Sequence, residues 1–309
     1  MSKYRNIPVF IINMINRPDR KEHMKNLMNQ LGFTNYTFVV PYAADENTKQ
    51  LFEKEIKRPF NLSLTKASHN MTYLSLLKLQ NVEEMIILED DIVMTKSLEH
   101  MKEELDILVN NHPVNSDMLY MEMCVESCSM NKVDGFIKLV NPYCAAAIYY
   151  PSKKSRDYLV DLLINEVNFS NEAIDSAFIY LISSGFINAY MHKLLFVQDN
   201  NFGSDLEGSV GYGSEYKPLS PTCYTLEETI DYFNKEEFND KVKDMYNREL
   251  SYQIENLKCD IDEINIYNRD ENNEKISRSL VVVIIILVIV IMILASLLLN
   301  KFNCNNNLI

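Results

Sequence analysis

Apolar positions recur along this chain with two periods, one of strands and one of helices, and their alternation predicts an α/β order. Residues 7–14 (IPVFIINM) are a short apolar run that predicts a strand. After the polar turn Asn16, Arg17, Pro18, Asp19 and Arg20, the residues Met24, Leu27, Met28 and Leu31 return at helical spacing, with Gly32 placed to end the helix. Residues 37–40 predict a second strand and residues 41–47 (PYAADEN) a loop. A strand, a helix and a strand in that order predict a parallel sheet. Residues 64–79 predict a helix with Met71, Leu74, Leu76 and Leu77 toward the core, and residues 98–109 another with Met101, Leu105 and Leu108 inward. Further strands are expected at 118–123 and 141–150, a helix over 152–164 carrying Leu159, Leu162 and Leu163, and a helix or turn over 172–184 that Gly185 ends. A last strand is expected over 189–198, a flexible Gly-rich loop over 200–213, and a boundary near Pro218 and Pro221.

The pattern changes beyond that boundary. An acidic, Tyr- and Asn-rich stretch follows, in which Leu250, Ile254, Leu257, Ile261 and Ile264 step by four and three, the spacing of a coiled-coil seam. It predicts a helical stalk, either packed on the domain or weakly self-associated through residues 242–264. Residues 280–299 (LVVVIIILVIVIMILASLLL) then hold a single polar residue, Ser296. Twenty residues of helix cover about 30 Å, the thickness of a bilayer core, so this stretch predicts a membrane span. The expected organisation is a domain over 1–224, a stalk over 225–278, a transmembrane helix over 279–299 and a tail over 300–309. The N-terminal apolar run is too short to span and is broken by Pro8 and Asn13, so no signal peptide is expected. Arg269, Lys275 and Arg278 precede the span, which by the positive-inside rule places the main domain in the cytosol.

Charge narrows the function classes. A formal net charge of −13 disfavours nucleic acid as a partner, because a phosphate backbone would be repelled. The six cysteines, Cys124, Cys128, Cys144, Cys223, Cys259 and Cys304, follow no zinc spacing, and a chain of this size needs no disulfide staples. No glycine-rich phosphate loop of the P-loop or dinucleotide-binding type occurs. Ser68 and His69 are neighbours, so on a helix they point in different directions, and no third group completes a nucleophilic triad; core hydrogen bonding is the expectation. Arg17 and Arg20 stand just behind the first strand, where they either meet a phosphate or lie solvated at a helix start.

The chemistry concentrates in residues 85–93 (MIILEDDIV), where a buried strand runs into Glu89, Asp90 and Asp91. The C-terminal ends of parallel strands are where open α/β sheets bind ligands. Three adjacent carboxylates raise one another's proton affinity unless they face water or a cation. Residues two apart share a face of a strand, so Glu89 and Asp91 are expected to approach one ion while Asp90 points the other way. Oxygen ligands favour Mg²⁺ or Mn²⁺, and such an ion keeps open positions for substrate phosphates. A solvated acidic loop is the plain alternative. With the metal, transfer from a nucleotide-sugar diphosphate fits.

Seven segments in order carry a resemblance to glycosyltransferase family 25. FIINMINRPDR (residues 10–20) is similar to the family's opening V-I-N-L-D-x-R-x-D-R turn, PYAAD (41–45) to its A-x-D-G loop, LTKASH (64–69) to its Ser-His segment, and MIILEDDI to its L-I-L-E-D-D motif. AAAIYYPSKKSRDYL, AIDSAF and LLFVQDNNFGSDL resemble the motifs that follow. The resemblance covers residues 7–206 and implies a GT-A-like fold with a mostly parallel sheet, a UDP-sugar donor carrying galactose or glucose, a glycan, lipid or protein acceptor, and Mn²⁺ or Mg²⁺ at the acids. It makes Glu89 and Asp91 the metal ligands. Asn13, Arg17, Arg20, Asp45 and Asp90 become the nucleotide pocket, and Asp175 the general base or acceptor contact. The chain departs from the family pattern at Thr65, Lys66 and Ala67, at Ile15 where an Asp is usual, and at Ile174. An inactive membrane-tethered relative and a metal-dependent nucleotidyltransferase are the competing readings.

Overall fold

The computed structural model describes residues 2–122, 132–142, 146–167 and 169–198. These lie in the first of two compact units, Met1–Tyr246. The expected loop at 200–213, the stalk, its heptad seam, the apolar stretch, the tail and all six cysteines lie outside the described residues. Among the described residues no helix is long and apolar enough to cross a membrane.

Strand β1 (Val9–Ile12) is the axis of the site-bearing half. It pairs in parallel with β2 (Tyr36–Val39) on one side and β3 (Met85–Glu89) on the other, with Ile12 level with both Val39 and Glu89. The three strands therefore end together, and the acids emerge at that common edge. Helix α1 (Pro18–Leu31) connects β1 to β2. Pro18 starts it with a ring-fixed φ that suits a first turn, and Asp19 complements the positive end of the helix dipole. Met24, Leu27, Met28 and Leu31 are buried as their spacing predicts, and Gly32 closes the helix at φ 80°, where a side chain would be strained.

Helix α2 (Glu46–Ile56) starts inside the stretch expected to be loop and continues where no helix is expected. Asp45 caps it, accepting from the Thr48 amide at 2.8 Å, and Thr48, Phe52 and Ile56 fall inward at four-residue spacing. Helix α3 (Leu64–Leu77) buries Met71, Leu74, Leu76 and Leu77 beside β3. Helix α4 (Leu98–Asn111) buries Met101, Leu105 and Leu108. Then come β5 (Met118–Tyr120), the hairpin β6 (Lys132–Val133) and β7 (Phe136–Lys138), β8 (Ala147–Tyr150), α5 (Lys153–Asn165), α6 (Ile174–Ser183) and β9 (Ala189–Met191). The hairpin turns on Asp134 and Gly135, both at positive φ, the two-residue turn whose twist suits paired strands.

The eight-stranded sheet runs β2-β1-β3-β8-β5-β9-β7-β6. Six strands point one way, and β8 and β7 are reversed, so the sheet is mixed although mostly parallel in direction. Each face carries its own core. Ile86 and Leu88 face α1 and α4, whereas Met85 and Ile87 face α2, α3, α5 and α6. Alternation along one strand thus fills both outer layers, and each Leu or Ile so buried contributes roughly 1.5–3 kcal/mol.

Two expectations are corrected. The run 189–198 is not one strand: β9 stays in the main sheet, and β10 (Phe196–Gln198) leaves it to pair antiparallel with β4 (Ile92–Met94). The run 85–93 is not one strand either, because β3 ends at Glu89 and Asp90-Asp91 form a turn into β4. Strand alternation therefore does not decide where the three acids point.

Candidate active site

A cavity of about 580 Å³ opens at the common end of β1, β2 and β3, a size that suits a small-molecule ligand. Its walls come from the turn after β1 (Met14, Ile15, Asn16), the loop after β2 (Val40 to Ala44), the face of α3 with Thr65, Ser68 and His69, and the acids 89–91, with Ile12, Arg20 of α1 and Gln198 of β10 completing the lining. Met14, Ile15, Val40 and Tyr42 are exposed there, with Ile15 at 85%, which gives the mouth an apolar face. The loop after β2 is tied to α3: Ser68 Oγ donates to the Tyr42 carbonyl at 2.5 Å, and the Tyr42 amide donates to Thr72 Oγ1 at 3.1 Å.

Each acid has different company. Asp90 is buried and matched, accepting from Asn13 Nδ2 and from Arg20 Nη1, both at 2.7 Å. Asn13 also donates to the Arg17 carbonyl at 3.1 Å, which fixes the turn that leads into α1. Arg20 reaches Asp91 Oδ2 at a longer 3.4 Å. Glu89 is gripped at both oxygens, by His69 Nε2 at 3.1 Å and by Gln198 Nε2 at 3.3 Å. Gln198 arrives through the second sheet, where it lies opposite Ile92. Asp91 is the exception, because its Oδ1 is buried and has no hydrogen-bond partner among the described residues.

Electrostatics follow from this. Burial, then the negative charge of Glu89, push Asp91 up to about 7 against the pull of Arg20. Burial alone would depress the His69 imidazole, but the hydrogen bond and charge of Glu89 outweigh it and hold it above its ordinary value. Asp175 stands at the start of α6, partly buried; desolvation raises it to about 6, with Glu89 adding to the rise and His69 and Lys66 opposing it. Glu89, His69 and Asp175 are thus coupled, Glu89 to His69 through a hydrogen bond and Asp175 to both through charge.

Of the residues proposed from the sequence, Arg20, Glu89, Asp90 and Asp91 line the cavity, and Asn13 lies directly against Asp90. Asn13 itself and three others do not line it. Arg17 pairs with Asp19 at 3.0 Å, Asp45 caps α2, and Asp175 sits at the start of α6. Glu89 and Asp91 are not a like pair on one strand face: Glu89 has both oxygens engaged, and Asp91 has one oxygen unengaged. Sequence reasoning missed Tyr42, Gln198, Thr65 and Asn16. The bare Ser-His pair carried the only local signal for that wall, and its hydrogen bonds to Tyr42 and Glu89 cross 26 and 20 residues.

The fit to a cation rests on Asp91. A buried carboxylate oxygen without a donor is a costly arrangement that a positive ion relieves. Among the described residues no cluster of three or more His, Cys, Asp or Glu side chains forms a ready-made metal cage. One carboxylate with open positions is how Mg²⁺ is commonly held beside substrate phosphates.

An α/β enzyme with a ligand-sized cavity at the ends of parallel strands is the class this geometry defines. A family model described as "Glycosyltransferase family 25 (LPS biosynthesis protein)" matches residues 6–178, more than half of the chain. The chain belongs to that family and is a glycosyltransferase. No curated protein matches it. Among solved structures it is similar to a glycosyltransferase involved in glycosylation of the major capsid of PBCV-1, at 10% identity over 62% of this chain and 92% of that one, with a TM-score of 0.36. It is also similar to apo-form GlyE of Streptococcus pneumoniae TIGR4, at 14% identity, 60% of this chain, 45% of that one and a TM-score of 0.32. Mouse xyloside xylosyltransferase 1 follows at 10% identity, 60% and 77% coverage and a TM-score of 0.31.

Proposed function

We propose that this chain moves a hexose, galactose or glucose, from a UDP-sugar to a glycan, lipid or protein acceptor, with Mn²⁺ or Mg²⁺ as cofactor. In this reading residues 279–299 tether it to a membrane with the catalytic domain on the cytosolic side. The single observation that carries the reading is Asp91 Oδ1, buried in the cavity wall without a partner among the described residues. Asp91 would hold the cation, and a cation there supplies positive charge against a departing diphosphate.

The chain's own residues divide the remaining work. Arg20 and Asn13 fix Asp90, so the turn that carries Asp91 keeps its place. His69 and Gln198 hold Glu89, which closes the opposite wall. The apolar mouth at Met14, Ile15, Val40 and Tyr42 offers a face for the uracil ring. Asp175, which does not line the donor cavity, would take the proton of a hydroxyl on an acceptor bound beside the start of α6, and its pKa of about 6 suits a base that works around neutrality.

The test is to incubate the full chain, in detergent, with a panel of UDP-sugars and Mn²⁺ and to follow release of UDP. Turnover of at least one donor is expected, lost on chelation and in Asp91→Asn. Turnover that survives both chelation and Asp91→Asn would overturn the metal assignment, and failure to bind or turn over any UDP-sugar would overturn the donor assignment.

A further inference from the structure

Helix α6 begins without a cap of its own. Ala173 occupies the N-cap position in extended backbone and has no side-chain acceptor. The cap comes instead from another helix. Asn70 of α3, fully buried, accepts the Ile174 amide on Oδ1 at 2.9 Å and donates from Nδ2 to the Glu172 carbonyl at 2.9 Å. One amide therefore grips the backbone on both sides of Ala173, as a strand neighbour would.

What the grip joins is informative. Asn70 follows His69, and Ile174 precedes Asp175, so the clamp ties together two segments that each present a titratable group one residue away. His69 is already held to Glu89 at 3.1 Å, and its charge acts on Asp175. Asn70 itself is not a cavity-lining residue.

We propose that Asn70 is a positioning residue for the transfer reaction, bridging α3, which carries His69, to the first turn of α6, which carries Asp175, so that the place of the Asp175 carboxylate is fixed. The proposal rests on the reading of Asp175 as the base. A buried Asn with both ends used on backbone fixes the helix start in translation and rotation, which a local cap on Ala173 would not do. Small misplacement of a reacting group is enough to slow a reaction severely.

The test compares four variants of the full chain: Asn70→Ala, Asn70→Ala with Ala173→Ser, Asp175→Asn, and Asn70→Ala with Asp175→Asn. Asn70→Ala is expected to lower kcat by roughly 10–100-fold while leaving the donor KM within about twofold. Adding Ala173→Ser supplies a local cap, so it restores the melting temperature but not kcat, and it serves as the folded variant if Asn70→Ala alone does not fold. In the Asp175→Asn background, Asn70→Ala is expected to cost nothing more, because its effect passes through the lost carboxylate. Full recovery of kcat by Ala173→Ser, or losses that multiply in the double variant, would show Asn70 to be a cap only and overturn the proposal. Wild-type kcat in Asp175→Asn overturns the base reading and this proposal together; wild-type kcat in Asn70→Ala beside an inactive Asp175→Asn overturns this proposal alone.

Discussion

On the α1 wall of the cavity, Asp90 is met by Asn13 and Arg20 at 2.7 Å each, so its charge is matched and its oxygens are used. One residue later Asp91 has Arg20 only at 3.4 Å and an oxygen with no partner among the described residues, while on the α3 wall Glu89 is held by a histidine and a glutamine. Three adjacent acids thus have three different states, set by which wall supplies donors. Asp90 belongs to the structure, Asp91 is left available for a ligand, and Glu89 holds His69, whose charge acts on Asp175.

The matched side is broken most severely by Arg20→Met. It leaves Asp90 buried without its countercharge, and the expected cost is about 3–5 kcal/mol, read as a lower urea midpoint. An unchanged midpoint would mean that Asp90 is not dependent on Arg20. On the unmatched side, Asp91→Asn is expected to lower donor turnover by about 10²–10³-fold. The same variant should gain stability, and the sign follows from linkage. The folded-state value of about 7 lies above the ordinary 3.8, so the folded protein keeps a proton that the unfolded chain has already released. Stability is therefore lost as pH rises from about 4 to about 7, and Asp91→Asn should melt a few degrees higher than wild type at neutral pH without added divalent ion, with the gap closing near pH 4. A lower melting temperature at neutral pH contradicts this.

Asp175 lies on the Glu89 side electrostatically, feeling the charge of both Glu89 and His69. Held at about 6 chiefly by burial, it should give turnover an acid limb near that pH, with activity rising as it loses its proton. Asp175→Asn should remove the limb along with most of the activity; a limb that persists in residual turnover assigns it to another group. The smallest effect is expected at Asp45, where Asp45→Ala costs about 1 kcal/mol through the lost α2 cap and leaves donor affinity alone. Weakening of UDP binding by more than about tenfold would return Asp45 to the nucleotide pocket.

Much of the framework was legible because it is periodic. Met24, Leu27, Met28 and Leu31 declared α1, and Gly32 its end, since a 14-residue helix repeats its signal several times. Three-residue strands repeat nothing, so the split of 189–198 between two sheets and the turn inside 85–93 left no trace in the pattern. The signals of helix α2, Thr48, Phe52 and Ile56 at four-residue spacing, and of the hairpin, Asp134-Gly135, are also present but short, and a single turn pair or three inward positions is weak against the loop pattern around them. The acids announced the site through composition. Their division of roles depends on donors from distant positions, Arg20 and Asn13 some 70 and 77 residues earlier and Gln198 109 residues away from Glu89, and no local spacing encodes those meetings.

The most direct measurement is the affinity for UDP by calorimetry, with and without Mn²⁺, in wild type and in Asp91→Asn. Mn²⁺ is expected to tighten UDP binding to the wild-type chain and to leave Asp91→Asn unaffected. Equal tightening in both proteins, or none in either, would contradict the assignment of Asp91 as the residue that brings a cation to the donor diphosphate.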